Sequence, residues 1–389
     1  MIAPTLAPLL RNSEKAEEET WALHTVKGRE AILRLTRQLI EFSVRCGQTG
    51  AMQDIAYFLS KPGALPRMPH LLLVSRTADL DTNHPNLDDL VGLLLIFEFR
   101  RFGIGTGAFA TNDRSGRSNL IALPEHRSRV AALTSRALLN RGAHLILMSF
   151  RTENPLDENN SMASHFQEST YHRKPVANWA QRERTIPGYL PLETTVDATL
   201  AAIGQRTRSN LRYYRRRAET RLGCTFLPEI KVSRAEVLTF NRQCMYAVAD
   251  DVAGWRYDSL RNLSDPLLMG IKDNEGRWLS MLGARRYNNR SEILWQMNRD
   301  GFAADSLSTV MRSYFIENEI AHGSRRMYIE GGTPHPIRFS FVPETLTDLA
   351  VVRRTSRARA MRMAAQRYIS TDNELSQMLE AKNVDWLPC

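Results

Sequence analysis

The order helix, glycine, strand occurs twice in this chain, and the two glycines, Gly142 and Gly323, lie 181 residues apart. Residues 127–141 set Val130, Leu133, Ala137 and Leu138 on one helical face and stop at Gly142, a residue suited to a left-handed C-cap. Residues 144–150 then read as a buried strand. Residues 307–322 repeat the pattern with Leu307, Val310, Met311, Tyr314 and Phe315 inward, a stop at Gly323 and a strand over 326–330. Strand pairs precede both helices: 70–75 and 92–100 around an Asp/Asn/Pro-rich turn at 79–89, and 278–287 and 292–298 around Asn288-Asn-Arg-Ser291. This pattern predicts a tandem duplication of an α/β unit. Gly103-Ile-Gly-Thr-Gly107 lacks the spacing of a dinucleotide loop and precedes a turn rather than a helix, so a bent strand is expected there.

A length of 389 residues accommodates two such units at about 150 residues per domain. Apolar residues form 43% of the chain and charged residues 24%, which excludes wholesale disorder and a disulfide-dense mini-scaffold. The apolar run at 91–97 falls far short of the ~20 residues that a membrane-spanning helix needs. Residues 1–10 are uncharged and are followed by Glu14, Glu17, Glu18 and Glu19, which fits neither a secretory signal nor a transit peptide, so a cytoplasmic location is expected. Cys46, Cys224, Cys244 and Cys389 stand far apart and the histidines form no ligand spacing, so neither disulfides nor a bound metal is expected.

The net charge of +10 is local. Residues 205–221 hold seven arginines against one glutamate, and 353–367 hold six arginines and no acid, which leaves the rest of the chain slightly acidic. Both windows fall on expected amphipathic helices, 200–222 and 353–368, whose charged faces suit solvent or an anionic partner. A further helix is expected over 26–45. The resulting division is an N-terminal helical segment (1–64), a first α/β unit (65–155), a polar linker (156–190), a second unit (191–350) and a basic C-terminal helical tail (351–389).

Several of these segments resemble a known family. Ile186-Pro-Gly-Tyr-Leu-Pro-Leu192, then Arg206-Thr-Arg-Ser-Asn-Leu-Arg212 and Arg215-Arg-Arg217, then Gly223 and 224–227, are similar to the second acetyltransferase domain of CelD-like proteins of the GNAT superfamily. The resemblance continues through Trp278-Leu-Ser-Met-Leu-Gly-Ala284 and Met327-Tyr-Ile-Glu-Gly-Gly332 and covers about residues 65–350.

The resemblance implies tandem GNAT-like domains, each a mostly antiparallel mixed sheet flanked by helices, related in architecture to Fem-type peptidyltransferases. The implied activity is direct transfer of an acyl group, acetyl foremost, from acyl-CoA to an amine or hydroxyl of a sugar, amino acid or envelope precursor. On this sequence it places the backbone contact to the acyl group at Met281, Leu282 and Gly283 and the helix start that holds phosphate at Asp305, Ser306 and Leu307. Gln296 and Asn298 would line the cleft, Glu330 would be the base and His335 its neighbour, with Arg338 and Arg212 towards the substrate. Asn298-Arg-Asp-Gly-Phe-Ala-Ala-Asp305 departs from the usual acyl-CoA loop, and its acids would repel phosphate unless Arg299 or Arg312 compensates. Two other readings fit the residues. One is a Fem-type transferase taking its donor from aminoacyl-tRNA along the arginine windows. The other is a binding module whose donor site has decayed.

Overall fold

The computed structural model describes residues 21–48, 55–60, 66–111, 119–151, 176–263, 265–330, 336–355 and 387–388. Its strands are β1 (Ala22–Lys27), β2 (Arg67–Ser75), β3 (Leu90–Arg101), β4 (Ile104–Ala110), β5 (Leu120–Ala122), β6 (Leu145–Arg151), β7 (Ala177–Pro191), β8 (Thr225–Leu227), β9 (Pro266–Lys272), β10 (Trp278–Tyr287), β11 (Arg290–Asn298), β12 (Arg326–Ile329), β13 (Val342–Arg353) and β14 (Leu387–Pro388). The helices are α1 (Arg29–Arg34), α2 (Thr36–Arg45), α3 (Ile55–Ser60), α4 (Arg127–Asn140), α5 (Val196–Ala202), α6 (Gln205–Leu222), α7 (Arg234–Asn241), α8 (Asp250–Leu260) and α9 (Leu307–Ala321). No helix among the described residues is long and apolar enough to cross a membrane.

The strands join in the order β1-β2-β3-β4-β6-β13-β7-β12-β11-β10-β9-β8, with β5 beside β3 and β14 beside β7. Two neighbouring pairs are parallel, β4 with β6 and β11 with β12. Parallel neighbours need a crossover, and α4 and α9 supply it. The fold is therefore mixed α/β, with the repeated unit that the sequence predicts in each half. Both helices stop where expected, at Gly142 (φ 94°) and Gly323 (φ 79°). The β10–β11 turn places Asn288 and Asn289 at φ 43° and 55°, the left-handed pair that twists a two-residue hairpin correctly.

Each half of the sheet is covered on both faces, so alternate residues of one strand enter different cores. Leu72 and Val74 pack with Val130 and Leu138 of α4, whereas Leu71 and Leu73 pack with Ile32, Leu35 and Leu39 of α1 and α2. Burial on both faces explains the unbroken apolar run in β3. In the second half, Leu282 and Ala284 face α6 and α9, while Met281, Trp295 and Met297 face α7 and α8.

Several boundaries differ from the sequence reading. Of the helix expected over 26–45, the first two residues end β1, and Gly28 (φ 91°) turns the chain into α1. The helix expected over 200–222 is interrupted, because Ile203 turns into the core and Gly204 caps α6. Residues 177–190 of the expected linker form β7, and residue 350 falls inside β13 rather than at a domain edge. β13 pairs with β6 and β7, and the last residues of β7 pair with β12, so these two strands weld the halves together. The polar character of β7 hid it, since its Arg182 is answered across the ladder. Arg182 Nη2 donates to Asp348 at 3.1 Å and Ser149 Oγ donates to the same carboxylate at 2.7 Å, with Asp348 fully buried. Of the basic helix expected at 353–368, Arg353 ends β13 and residues from 356 onward lie outside the described residues.

Asp348→Ala removes one acceptor from the Arg182 guanidinium and from the buried Ser149 hydroxyl, and urea unfolding is expected to show a loss of about 1–3 kcal/mol.

Candidate functional site

β12 pairs with only the first four residues of β11, Arg290–Ile293, and the Glu330 N–H then donates to the Ile293 carbonyl at 2.8 Å. Beyond that point β11 continues to Asn298 beside β10 while the β12 ladder has ended. At the same place the β10–β11 register steps: Gly283 faces Trp295 and Ala284 faces Ile293, so Leu294 has no opposite residue. Such a bulge takes backbone out of the ladder and bends the strand. The gap holds a cavity of about 470 Å³ walled by 294–298 of β11, Ile329 and Glu330 after β12, and the first turns of α9. Met245, Tyr246 and Val248, between α7 and α8, close it from the side.

Backbone bonds fix this side wall, with Met245 N–H donating to Asn298 O (3.1 Å) and Asp300 N–H to Gln243 O (2.9 Å). Arg299 joins the same strap through Nε to Trp278 O (2.6 Å) and Nη2 to Gln243 Oε1 (2.8 Å), so it is committed to structure. Within the cavity wall, Asn298 Oδ1 accepts from Gln296 Nε2 and from Ser280 Oγ, both at 2.9 Å.

The approach to α9 is a built helix start. Asp305, 1% exposed, accepts from Arg217 Nε (3.1 Å) and Arg221 Nη1 (3.3 Å) of α6, so its charge is answered from behind the helix. Ser306, at φ 47°, is the N-cap. Its carbonyl accepts from the N–H groups of Thr309 (2.8 Å) and Val310 (3.1 Å), while those of Leu307 and Ser308 precede the helical repeat and have no acceptor within it. They carry the positive end of a four-turn helix dipole at the cavity wall.

Arg312 lies one turn further along α9 and also lines the cavity. It is 7% exposed, and its buried Nε has no hydrogen-bond partner among the described residues. Burial and then the charge of Arg338 pull it down to about 10, which leaves it cationic at neutral pH. Arg338, in the 3₁₀ turn Pro336–Ser340, is lowered by burial as well.

Of the residues singled out in the sequence, Gln296, Asn298, Ser306, Leu307 and Glu330 meet at this cavity. Met281, Leu282 and Gly283 do not. They lie on β10, which is laddered on both edges, and Met281 and Leu282 point into opposite cores. Gly283 is a packing residue, since a Cβ there would come within 2.2 Å of the Trp295 ring. Asp305 sits behind the helix start, and Arg212 is exposed and paired with Asp197 at 2.9 Å. His335 lies outside the described residues. Sequence reasoning missed the bulge at Leu294, Ser308 and the strap at 245–248. Arg312 was considered only as a counter-charge, although it is the lone charge between Leu307 and Ile316.

Gly283→Ala drives Trp295 towards the cavity, so a shift of tryptophan emission and a loss of about 1–3 kcal/mol in chemical unfolding are expected.

No family model matches this chain, and no curated protein matches it. Solved structures of similar course include a tandem GNAT protein from the clavulanic acid biosynthesis pathway, at 11% identity and a TM-score of 0.44, covering 85% of this chain and 98% of that one. FemX aligns at 11% identity and 0.48, covering 80% and 95%. The L-PGS structure from Bacillus licheniformis aligns at 13% identity and 0.44, covering 72% and 87%.

Proposed function

We propose that this protein is an acyltransferase of the GNAT type, moving an acyl group, acetyl foremost, from acyl-CoA to an amine or hydroxyl. One observation carries the reading: a bulged strand parts from its parallel neighbour over a cavity that the N-terminus of a 15-residue helix and a glutamate both reach. Leu294, freed from the β10 ladder, offers backbone N–H to polarise a thioester carbonyl in the gap. The N–H groups of Leu307 and Ser308 hold the diphosphate of the donor at the helix start. Glu330 takes the proton from the acceptor as its nitrogen or oxygen bonds to the acyl carbon. The C–S bond breaks, and that proton neutralises the departing thiolate.

The pairing of Asp305 with Arg217 and Arg221 supports an intact donor site, because the acid nearest the helix start does not act as a lone negative charge. The α6 arginines bear on the aminoacyl-tRNA alternative. Arg212 pairs with Asp197, Arg215 with Glu219 and Glu317, and Arg217 and Arg221 with Asp305, so four of the seven arginines in that window already have internal acids. That commitment favours the smaller donor.

Thermal unfolding in the presence of acetyl-CoA, longer acyl-CoAs and free CoA tests the donor. A saturable rise is expected, corresponding to about 2.7 kcal/mol at a hundredfold excess over Kd, and no rise would remove the acyl-CoA reading in favour of tRNA transfer or a binding module. Glu330→Gln is expected to keep that stabilisation and to slow acetyl transfer by about 10²- to 10⁴-fold.

A further inference from the structure

The described cavity holds one group that its own architecture leaves uncompensated. Arg312 is 93% buried by difference from its 7% exposure, its Nε is enclosed without a partner, and it forms no ion pair among the described residues. The charge that acts on it is that of another cation, Arg338. A desolvated guanidinium is costly unless an anion joins it. Ser308 precedes Arg312 by one turn on the same face of α9, and both line the cavity. Glu330 lines the same volume from the β12 side.

We propose that Arg312 is the anchor for the carboxylate of an amine-bearing acceptor, so that the substrate class is a small amino acid or a molecule ending in one. This inference rests on the acyltransferase reading for the role of Glu330. The charges of the cavity are complementary to such a molecule. Its carboxylate is gripped by the planar fork of Arg312, and its amine turns to Glu330, which accepts the proton when the nitrogen attacks. A carboxylate carries one negative charge and tolerates Glu330 in the same wall better than a phosphate dianion does. The anchor also excludes simple alkylamines, because an unanswered Arg312 stays desolvated when they bind.

The test is thermal unfolding of the full chain, wild type and Arg312→Met, titrated with glycine, L-alanine, β-alanine, L-glutamate, ethylamine and inorganic phosphate. Without ligand, Arg312→Met is expected to unfold at a higher temperature than wild type, since it replaces an uncompensated buried charge by an apolar chain of similar length. At least one amino acid is expected to stabilise wild type saturably and ethylamine is not. The half-saturating concentration rises roughly 10- to 100-fold in Arg312→Met, and Arg312→Lys, which keeps the charge but not the fork, falls between them. A ligand-free Arg312→Met protein that is less stable than wild type, or that does not fold while Arg312→Lys has wild-type stability, would mean that Arg312 serves the structure and would overturn the proposal. Arg312-dependent stabilisation by phosphate alone would overturn the carboxylate assignment, as would the absence of any effect from all four amino acids. Acetyl-CoA is titrated in parallel on wild type. Stabilisation by acetyl-CoA without an amino-acid effect removes the acceptor class and spares the acyltransferase reading, whereas the reverse result removes acyl-CoA and spares the anion anchor.

Discussion

The parting of β11 from β12 is the constraint on which the rest of the second half depends. β11 and β12 are parallel strands joined through α9, and their pairing lasts four residues. The bulge at Leu294 bends β11 away, and the segment between α7 and α8 is hydrogen-bonded to its far end. The cavity is therefore held open by backbone bonds on two sides. Its chemistry follows from what those bonds bring to it: strand backbone released from a ladder, the first turn of α9, and the residue after β12.

Part of the charge on α6 is answered inside the protein. The α6 window looks on paper like a solvated basic face, yet Arg217 and Arg221 converge on one buried aspartate and Arg215 lies over the Tyr314 ring at 4.2 Å. Tyr314 in turn donates to Glu219 at 2.7 Å, and burial with that bond raises its phenol well above the ordinary range. These contacts seat α6 against α9 and so set where the helix start lies relative to the strand. Arg312, which lines the cavity, forms no ion pair among the described residues.

The legible part of the fold was local. Glycine stops after helices, the Asn288-Asn289 turn and apolar periodicity are written within a few residues of the elements they define, and all of them are present in the structure. Contacts between distant segments were not legible. β7 owes its strand to β13, and the Arg182–Asp348 pair that stabilises the join spans 166 residues of sequence. The site shows the same division. Gln296, Asn298, Ser306, Leu307 and Glu330 stand at strand and helix ends, which sequence pattern locates, and they line one cavity. The family resemblance places the donor contact at Met281, Leu282 and Gly283, on the first strand of the hairpin. Only the position of a third strand, β12, and a one-residue register step tell which of the two borders the gap.

Hydrogen exchange followed by peptide mass spectrometry, with and without saturating acetyl-CoA, reads the gap directly. Slowed exchange in 294–298 of β11 and in 306–312 at the start of α9, with the first half of the chain unchanged, is the result this account predicts. Protection that leaves both segments untouched and appears elsewhere, on the exposed face of α6 or in the first half, would contradict it.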